Sequence, residues 1–428
     1  MKKRIMAIVS MILCITSLLS CVGCSEDIGD ESDTSAQVAT WEGSLELPTE
    51  KIEEEPTEKQ TEKKTTSKNT TKRTTVKATD PIPGKSTTTT ALTAKTYTFA
   101  NMSTTNQAYF KFLGRTKVSS EGLVFDTSCA TLEFQGYMTG DVFVEINSKN
   151  GGYGFSYYTV YVDGKRSDTR FKVEKGATTK LKVASFTGNY FHTIKVVKQT
   201  EFKWALATVK SVSITGYLTK APENAKYYIE FLGDSLTTGY GNIGKPGDSP
   251  GDSPKFQDGT KSYAYLAAES LGADYSMISR SAAGISQCWS NSPIIDYYKK
   301  FSKDRNGDAF DTSKARKPDL IVLHLGANDY NVGGSNKSNF VTKGKELVNY
   351  FRSIYGTDVP IIWAYDPGEG FPDKVKEIMN SFGGEAKGYY TLSLAWSERG
   401  ADGHPSANEH AKHAKLLADL VKTKNILK

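Results

Sequence analysis

The chain has 428 residues, a formal net charge of +6, 38% hydrophobic and 24% charged residues, and five cysteines. The nearly even charge balance argues against nucleic acid as a partner, and so low a cysteine content excludes a small disulfide-stapled protein. Beyond the N-terminus the sequence contains no apolar run of about 18 residues, which excludes an integral membrane protein.

The N-terminus, residues 1–24, is predicted to be an export signal. Basic residues at 2–4 precede a short apolar run, Ile5–Leu19, which is the pattern of a secretory signal rather than of a spanning helix. Small residues and cysteines follow, and this part resembles a bacterial lipobox, in which a cysteine is lipidated. Either Cys21 or Cys24 fits that role, and plain secretion with cleavage nearby is the alternative. We therefore expect an exported protein, either a cell-surface lipoprotein or a secreted one.

Residues 25–95 are predicted to be a disordered, solvated spacer rich in Thr, Lys and Glu. They contain a single aromatic residue, Trp41, and pass from an acidic stretch into a Thr/Lys tract that ends at Thr87–Thr90. This composition cannot bury enough apolar surface to offset the conformational entropy of the chain. The remaining part of the chain suits two domains.

Residues 96–220 are predicted to form an all-β sandwich. Short runs with alternating apolar and polar residues follow one another, separated by turn signals such as Asp163-Gly164 and Lys175-Gly176. The runs are residues 131–134, 142–146, 159–162, 181–183, 193–196 and 209–215. Many short strands with no helical pattern between them indicate an antiparallel sandwich.

Residues 225–428 are predicted to form a doubly wound α/β domain with a mostly parallel sheet. Apolar strand runs now alternate with helical patterns, as expected for a parallel sheet covered on both faces. The predicted strands are 227–232, 275–279, 320–325, 359–364 and 390–394, and the predicted helices are 263–271, 340–355 and 406–424.

The nucleophile candidate is Ser235. It stands in Gly233-Asp234-Ser235-Leu236, directly after the first apolar strand of the α/β region. In doubly wound sheets, ligands bind beyond the carboxyl ends of the strands, where this hydroxyl would meet a substrate. Two further Gly-Asp-Ser copies, at 247–249 and 251–253, lie in a Pro/Gly/Asp-rich stretch without a preceding strand and are interpreted as surface loop.

His404 is the candidate base, because it occupies a loop just before the last predicted helix. The chain has four other histidines. His192 belongs to the β region, and His324 lies inside an apolar strand, which favours a packed core residue. His410 and His413 are three residues apart on one helix and could share a metal ion, but no further ligands accompany them.

The oxyanion-hole candidates are the backbone N–H groups of Ser235 and Gly284 and the side-chain amide of Asn328. Gly284 and Asn328 each follow a predicted strand, so both should reach the same sheet edge as Ser235. Donors fixed at that edge would stabilise the negative charge that develops on a carbonyl oxygen under attack. Asp329, beside Asn328, is interpreted as a structural residue.

The four blocks Gly-Asp-Ser-Leu, a later Gly, Gly-x-Asn-Asp and Asp-Gly-His-Pro resemble those of the SGNH (GDSL) hydrolases. With the preceding β region and the stretch Ile229–Asn242, the sequence resembles the family 2 carbohydrate esterases over about residues 96–428. The resemblance implies a jelly roll packed beside a flavodoxin-like, three-layer catalytic domain. It also implies the removal of acetyl groups from polysaccharides, often from a sugar O6.

One position departs from the wider SGNH pattern. Many SGNH hydrolases have Asp three residues before the histidine, where this chain has Ala401; Asp402 stands one position later. The family 2 esterases manage with a Ser–His dyad whose ring is oriented by a main-chain carbonyl, which here would be that of Gly403. We favour the dyad, with a triad through Asp402 as the alternative.

The resemblance implies a monomeric serine esterase that needs neither metal nor cofactor and acts on acetylated xylan or glucomannan. Its membrane contact would be the N-terminal lipid anchor alone.

Four aromatic side chains near strand ends are candidates for stacking on a sugar, although ordinary packing explains each equally well: Trp289, Tyr330, Trp363 and Tyr365. The alternatives are a lipase or thioesterase, against which the polar loop 242–260 argues, and a non-catalytic glycan-binding surface protein.

Overall fold

The computed structural model describes residues 92–149, 154–250, 254–286, 288–290, 292–302, 309–333 and 337–428. The predicted export signal with Cys21 and Cys24, and nearly all of the predicted spacer, lie outside these residues. The described part belongs to one compact unit, Thr79–Lys428. Among its helices, none combines the length and the apolar character that crossing a bilayer requires.

The first part of this unit is an antiparallel β-structure. Its elements are β1 (Ala94–Thr98), α1 (Thr104–Gln107), β2 (Phe110–Leu113), β3 (Thr116–Ser119), β4 (Gly122–Phe125), β5 (Thr131–Lys149), β6 (Ser156–Val162), β7 (Lys165–Arg166), β8 (Phe171–Val173), β9 (Thr178–Lys198) and β10 (Leu206–Leu218). The main path of the sheet is β3-β4-β10-β5-β9-β6-β7, with β1 beside β10, β2 beside β5 and β8 beside β6. The predicted all-β class is confirmed, as one continuous sheet curled around its own apolar core.

Two strands are much longer than predicted. β5 joins the runs predicted at 131–134 and 142–146, and β9 joins those predicted at 181–183 and 193–196. The β5–β9 ladder shifts register between Met138 and Gly140 and again between Val142 and Phe143. A bulge adds one residue and bends the strand without ending it, so the alternation changes phase and looks like a strand end in the sequence.

The second part has a parallel sheet with helices. Its elements are β11 (Tyr228–Gly233), α2 (Ser235–Thr238), α3 (Tyr263–Ser270), β12 (Asp274–Ser279), α4 (Ile294–Tyr298), β13 (Leu320–His324), α5 (Ala327–Gly333), α6 (Lys337–Tyr355), β14 (Ile361–Tyr365), α7 (Pro372–Ser381), β15 (Tyr389–Ser393) and α8 (Ala407–Thr423). The strand order is β12-β11-β13-β14-β15, and each pairing is parallel. This confirms the predicted doubly wound domain. The sequence interpretation missed α7, although its Pro at the first helical position is a start signal.

The two parts share their hydrophobic cores. Leu113 and Val197 of the β-structure pack in the core on one side of the parallel sheet, with Phe231. Phe202 and Leu206 pack in the core on the other side. Burying apolar surface on both sides makes the β-structure an integral part of the same folded unit as the parallel sheet.

A buried ion pair also joins the two parts. Arg115 and Glu230 are 3% and 2% exposed, and their Nη2 and Oε1 atoms are 3.4 Å apart. Arg115 also donates to the carbonyl oxygen of Tyr298 at 2.9 Å, and its guanidinium lies over the ring of Phe310. Because Glu230 lies on β11, this pair fixes the β-structure against the strand that leads to Ser235.

Candidate active site

Ser235 begins α2 immediately beyond the end of β11. Asp234 caps this helix, because its side chain accepts a hydrogen bond from the N–H of Leu236 at 3.0 Å. Position 233 must be glycine, since a Cβ atom there would overlap the side chain of Thr237. The tight turn therefore presents the Ser235 hydroxyl at the carboxyl edge of the sheet, as the sequence predicts.

His404 lies within hydrogen-bonding distance of this hydroxyl, with its Nε2 atom 2.9 Å from the Oγ atom of Ser235. The other ring nitrogen, Nδ1, lies 2.9 Å from the main-chain carbonyl oxygen of Asp402. A carbonyl only accepts, so Nδ1 carries the proton and Nε2 is left with the lone pair. His404 is therefore placed and protonated as a base toward Ser235.

The orienting carbonyl is that of Asp402, one residue earlier than the Gly403 carbonyl that the resemblance to family 2 esterases implies. The difference arises because Asp402 and Gly403 both adopt left-handed backbone conformations, with φ of 52° and 71°. The carboxylate of Asp402 instead accepts a hydrogen bond from the hydroxyl of Tyr240 at 3.4 Å. Asp402 thus acts on the ring through its main chain, which fits the dyad and not the triad.

Backbone hydrogen bonds hold the histidine loop against the segment that follows the nucleophile. The N–H of Ala401 donates to the carbonyl of Gly241 at 2.9 Å, and that of Ala407 donates to the carbonyl of Asn242 at 2.7 Å. A Cβ at Gly241, where φ is 72°, would lie 2.5 Å from the carbonyl oxygen of Ala401. The short distance between Ser235 and His404 is therefore set by two peptide segments in contact.

Burial lowers the pKa of the His404 imidazole, and the hydrogen bond to the Asp402 carbonyl opposes that shift in part. A ring with a lowered pKa is neutral at neutral pH. It can therefore accept the proton of Ser235.

The loop after β12 carries Gly284, and Asp329 fixes the far end of that loop. The carboxylate of Asp329 accepts hydrogen bonds from the N–H groups of Ile285 at 2.9 Å and Ser286 at 2.7 Å. It also accepts from the Ser286 hydroxyl at 2.9 Å. Asp329 thus has the kind of structural contacts that the sequence interpretation expected of it.

Asn328 lies between this loop and the nucleophile turn. Its Nδ2 atom donates to the carbonyl of Ala283 at 2.9 Å and to Oδ2 of Asp234 at 3.2 Å. Burial raises the pKa of Asp234 to about 7. Ser235 and Asn328, predicted from strand ends, and His404, predicted from the loop before the last helix, therefore meet at one place.

They line a cleft of about 300 Å³. Further polar and aromatic lining residues, which the sequence interpretation missed, are Asn331, Asp366, Glu369, Trp396 and Arg399. Most of these follow the ends of β14 and β15, so the strand-end rule used for Ser235 would have found them. The guanidinium of Arg399 lies 5.3 Å from the Trp396 ring, and the indole N–H of Trp396 has no hydrogen-bond partner among the described residues.

The four aromatic candidates separate into two groups. Trp363 is fully buried and donates to the carbonyl of Leu325 at 3.1 Å, and Tyr365 is 7% exposed within the same core. The prediction that these two stack on a sugar is therefore wrong, because β14 lies inside the sheet, between β13 and β15, and both its faces are covered. Trp289 and Tyr330 are 68% and 40% exposed and do not line the cleft; their contact with substrate stays a prediction.

His410 and His413 each form a hydrogen bond to the main chain. Nδ1 of His410 accepts from the N–H of Tyr263 at 3.2 Å, and Nε2 of His413 donates to the carbonyl of Ala395 at 3.0 Å. Within the ranges that the structure describes, no group of three His, Cys, Asp or Glu side chains is arranged to hold a metal ion.

A parallel sheet with a serine beyond its first strand, paired to a histidine from a C-terminal loop, defines an SGNH hydrolase. Comparison with protein families agrees: residues 229–368 match the GDSL-like lipase/acylhydrolase family. Residues 112–222 match the N-terminal domain of carbohydrate esterase 2. The chain belongs to carbohydrate esterase family 2.

Curated relatives have low identity to the chain. It is 29% identical over 296 residues to the cellulase/esterase CelE of Acetivibrio thermocellus, covering 65% of this chain but only 35% of that protein. It is 22% identical over 346 residues to an acetylxylan esterase/glucomannan deacetylase of Cellvibrio japonicus, covering 77% of this chain and 91% of the relative. The chain thus spans about a third of the length of CelE.

Solved structures show the same fold. A family two carbohydrate esterase from Clostridium thermocellum, in complex with cellohexaose, is 26% identical, with a TM-score of 0.65, and the match covers 74% of this chain and 99% of that one. A family two carbohydrate esterase from Cellvibrio japonicus is 18% identical with a TM-score of 0.67, covering 78% and 99% of the two chains.

Proposed function

We propose that the protein is a serine esterase that removes acetyl groups from carbohydrate. The observation that carries this proposal is the 2.9 Å contact between Nε2 of His404 and Oγ of Ser235, in a cleft that also contains Asn328. A neutral imidazole facing a serine hydroxyl is the arrangement that activates serine as a nucleophile.

In the proposed reaction, His404 takes the proton of the Ser235 hydroxyl while Oγ attacks the acetyl carbonyl carbon. The tetrahedral intermediate collapses, and His404 returns the proton to the sugar oxygen as the C–O bond breaks. Water then gives a proton to His404 and attacks the acetyl-enzyme. Acetate leaves, and the proton returns to Ser235.

The proposed oxyanion donors are the N–H groups of Ser235 and Gly284 and the amide of Asn328. In the structure the Asn328 amide donates twice, at 2.9 Å to Ala283 and at 3.2 Å to Asp234. We assign the longer bond as the one that the substrate oxygen replaces, while the bond to Ala283 keeps the amide in place. Charge that develops in the transition state strengthens the new bond.

The substrate class is proposed from the cleft and from the relatives. The cleft is lined by Asn, Asp, Glu and Arg side chains, with Trp396 as an aromatic surface, and these groups suit the hydroxyls and the apolar face of a pyranose. The name of the Cellvibrio japonicus relative, an acetylxylan esterase/glucomannan deacetylase, supports acetylated xylan or glucomannan. We extend the proposal to an exported enzyme, on the evidence of the N-terminal sequence pattern.

The test compares the parent protein with Ser235→Ala on acetylated xylan and acetylated glucomannan, by measuring released acetate. We expect release by the parent alone, with the better polymer identifying the preferred substrate. Release of longer acyl groups from lipid esters or thioesters, but not of acetate from either polymer, would favour the lipase or thioesterase alternative. Binding of the polymers without release of acetate would favour a glycan-binding protein.

A further inference from the structure

Glu201 belongs to the connection between β9 and β10 of the β-structure, yet its side chain reaches the active-site side of the parallel sheet. It is fully buried, and its carboxylate accepts hydrogen bonds from both polar groups of Ser281. These are the N–H group, at 2.9 Å, and the hydroxyl. Burying a carboxylate costs free energy unless hydrogen-bond donors satisfy it, and Ser281 supplies two such donors.

Ser281 begins the loop that carries Gly284. Glu201 holds this end of the loop, and Asp329 holds the other end through Ile285 and Ser286. Between the two carboxylates, the carbonyl of Ala283 accepts from the Asn328 amide. The peptide of Gly284 therefore lies between two acidic side chains that each hold the loop by hydrogen bonds, and only Asp329 comes from the catalytic domain.

The same connection also supports the histidine side of the site. The indole of Trp204 lies parallel to the ring of Tyr240, with centroids 6.0 Å apart, and the Tyr240 ring is 4.7 Å from that of His404. Gln257 accepts from the Trp204 indole at 2.7 Å and donates to the carbonyl of Thr238 at 3.1 Å, which ties the connection to α2. The β-structure thus packs beneath both halves of the candidate site.

We propose that Glu201 is a positioning residue for catalysis: through Ser281 it fixes the Gly284 N–H group of the oxyanion hole. The inference rests on the proposed esterase function. It gives the β-structure a catalytic role, because the oxyanion loop is correctly placed only when the β-structure is docked. Loss of this clamp, the Glu201–Ser281 contact, should lower kcat with little change in KM, since the oxyanion is absent from the bound substrate and forms only in the tetrahedral intermediate and the transition states that flank it.

The experiment uses the full-length protein with 4-nitrophenyl acetate and compares Glu201→Ala, Glu201→Gln, Ser281→Ala and the double variant Glu201→Ala/Ser281→Ala. We expect Glu201→Ala to lower kcat by about 10- to 100-fold with KM within about twofold, the scale of a slightly misplaced catalytic group. Glu201→Gln should recover most of that loss, because its amide accepts from the Ser281 N–H and donates to the hydroxyl oxygen. The matched control is Glu174→Ala, which removes an exposed ion pair of the β-structure. Its kinetics should be those of the parent.

The double variant tests whether Glu201 acts through Ser281. If it does, the double variant is no slower than Glu201→Ala, whereas independent roles would multiply the two losses and overturn the inference. A folded Glu201→Ala with parental kcat would also overturn it. If Glu201→Ala does not fold, Glu201→Asp takes its place, because its side chain is shorter by one CH2 group and weakens the bonds to both the N–H and the hydroxyl of Ser281; parental kcat in that variant decides against the clamp. Ser235→Ala separates the two proposals: activity retained in that variant removes the esterase function, whereas activity lost there but parental in the clamp variants removes only this inference.

Discussion

The Nδ1 atom of His404 lies 2.9 Å from the carbonyl oxygen of Asp402, a residue two positions earlier in the same loop. The catalytic ring is therefore oriented by its own loop, and no side chain from elsewhere in the chain is needed. The left-handed conformations of Asp402 and Gly403 make this local contact possible. The Asp402 carboxylate is close to His404 in the sequence, but the main-chain carbonyl of Asp402 occupies the position that this carboxylate would hold in a triad.

Asp402→Asn should therefore keep kcat within about fivefold of the parent. Asn tolerates the left-handed conformation and leaves the main-chain carbonyl in place. A triad carboxylate replaced in this way would lose on the order of 10,000-fold. Steady-state hydrolysis of 4-nitrophenyl acetate measures the difference, with His404→Ala, which should lose on the order of 1,000-fold or more, as the reference. A loss above about 1,000-fold in Asp402→Asn would restore the triad.

Asn328→Ala should lower kcat by about 100- to 1,000-fold, the usual effect of removing one oxyanion donor. The matched control is Asn408→Ala, because Asn408 is an exposed residue of α8 whose amide donates to Glu398. Thermal unfolding of both variants separates lost catalysis from lost folding. If a folded Asn328→Ala variant kept the parental kcat, the Asn328 amide would not be an oxyanion donor. In the parent it would then stay bonded to Asp234 and Ala283 throughout the reaction.

The pH dependence of kcat/KM should show an acid limb with its midpoint below 6.5. Burial lowers the pKa of His404, and the protonated ring cannot accept the proton of Ser235. Activity should therefore persist into mildly acidic solution before it falls. Measuring kcat/KM from pH 4 to 8 reports the ionisation of the free enzyme; a midpoint above 6.5 would contradict the neutral, buried base.

The folded state should lose stability in acid through two buried histidines behind the nucleophile. Burial lowers the pKa of both His324 and His410 to about 3, whereas in the unfolded chain each titrates near 6.5. Their contribution is therefore complete above 6.5 and is lost as the pH falls toward 3, by about 1.4 kcal/mol per pH unit for each ring. Asp234, with its pKa raised to about 7, acts in the opposite direction between its unfolded value of 3.8 and 7.

Urea unfolding of the parent and of His324→Gln at pH 5 and pH 7 measures this effect. The variant should lose less stability between the two pH values, because glutamine cannot take up the proton. The expected difference is about 2 kcal/mol, one ring over the 1.5 units below 6.5. An equal loss in both proteins would assign the acid sensitivity to other groups.

Arg115→Met should destabilise the protein by about 3 to 5 kcal/mol, because it leaves the carboxylate of Glu230 buried without its cation. Lys182→Met breaks an exposed pair with Asp141 and should change the free energy of unfolding by less than about 1 kcal/mol. Denaturant unfolding measures both. A small effect at Arg115 would mean that the hydroxyls of Tyr298 and Tyr355, which also donate to Glu230, satisfy the carboxylate on their own.

Local patterns in the sequence are enough to predict part of this fold and most of the candidate catalytic residues. Alternation of strands and helices identified the parallel sheet, and the carboxyl ends of its strands located Ser235 and Asn328. His404 was recognised because it precedes a helix in a short polar loop. These inferences hold because a parallel sheet brings its strand ends to one edge whatever the packing elsewhere.

Contacts between distant segments and individual backbone angles follow only from the folded chain. The fold shows that the Asp402 carbonyl, not a carboxylate, orients His404, and that Trp363 is buried in the core. It also placed Glu201 on Ser281, although the two are 80 residues apart in the chain. Hydrophobic periodicity reports only which face of an element is buried. Which side chain meets which across two packed domains is settled by the close packing of their interiors.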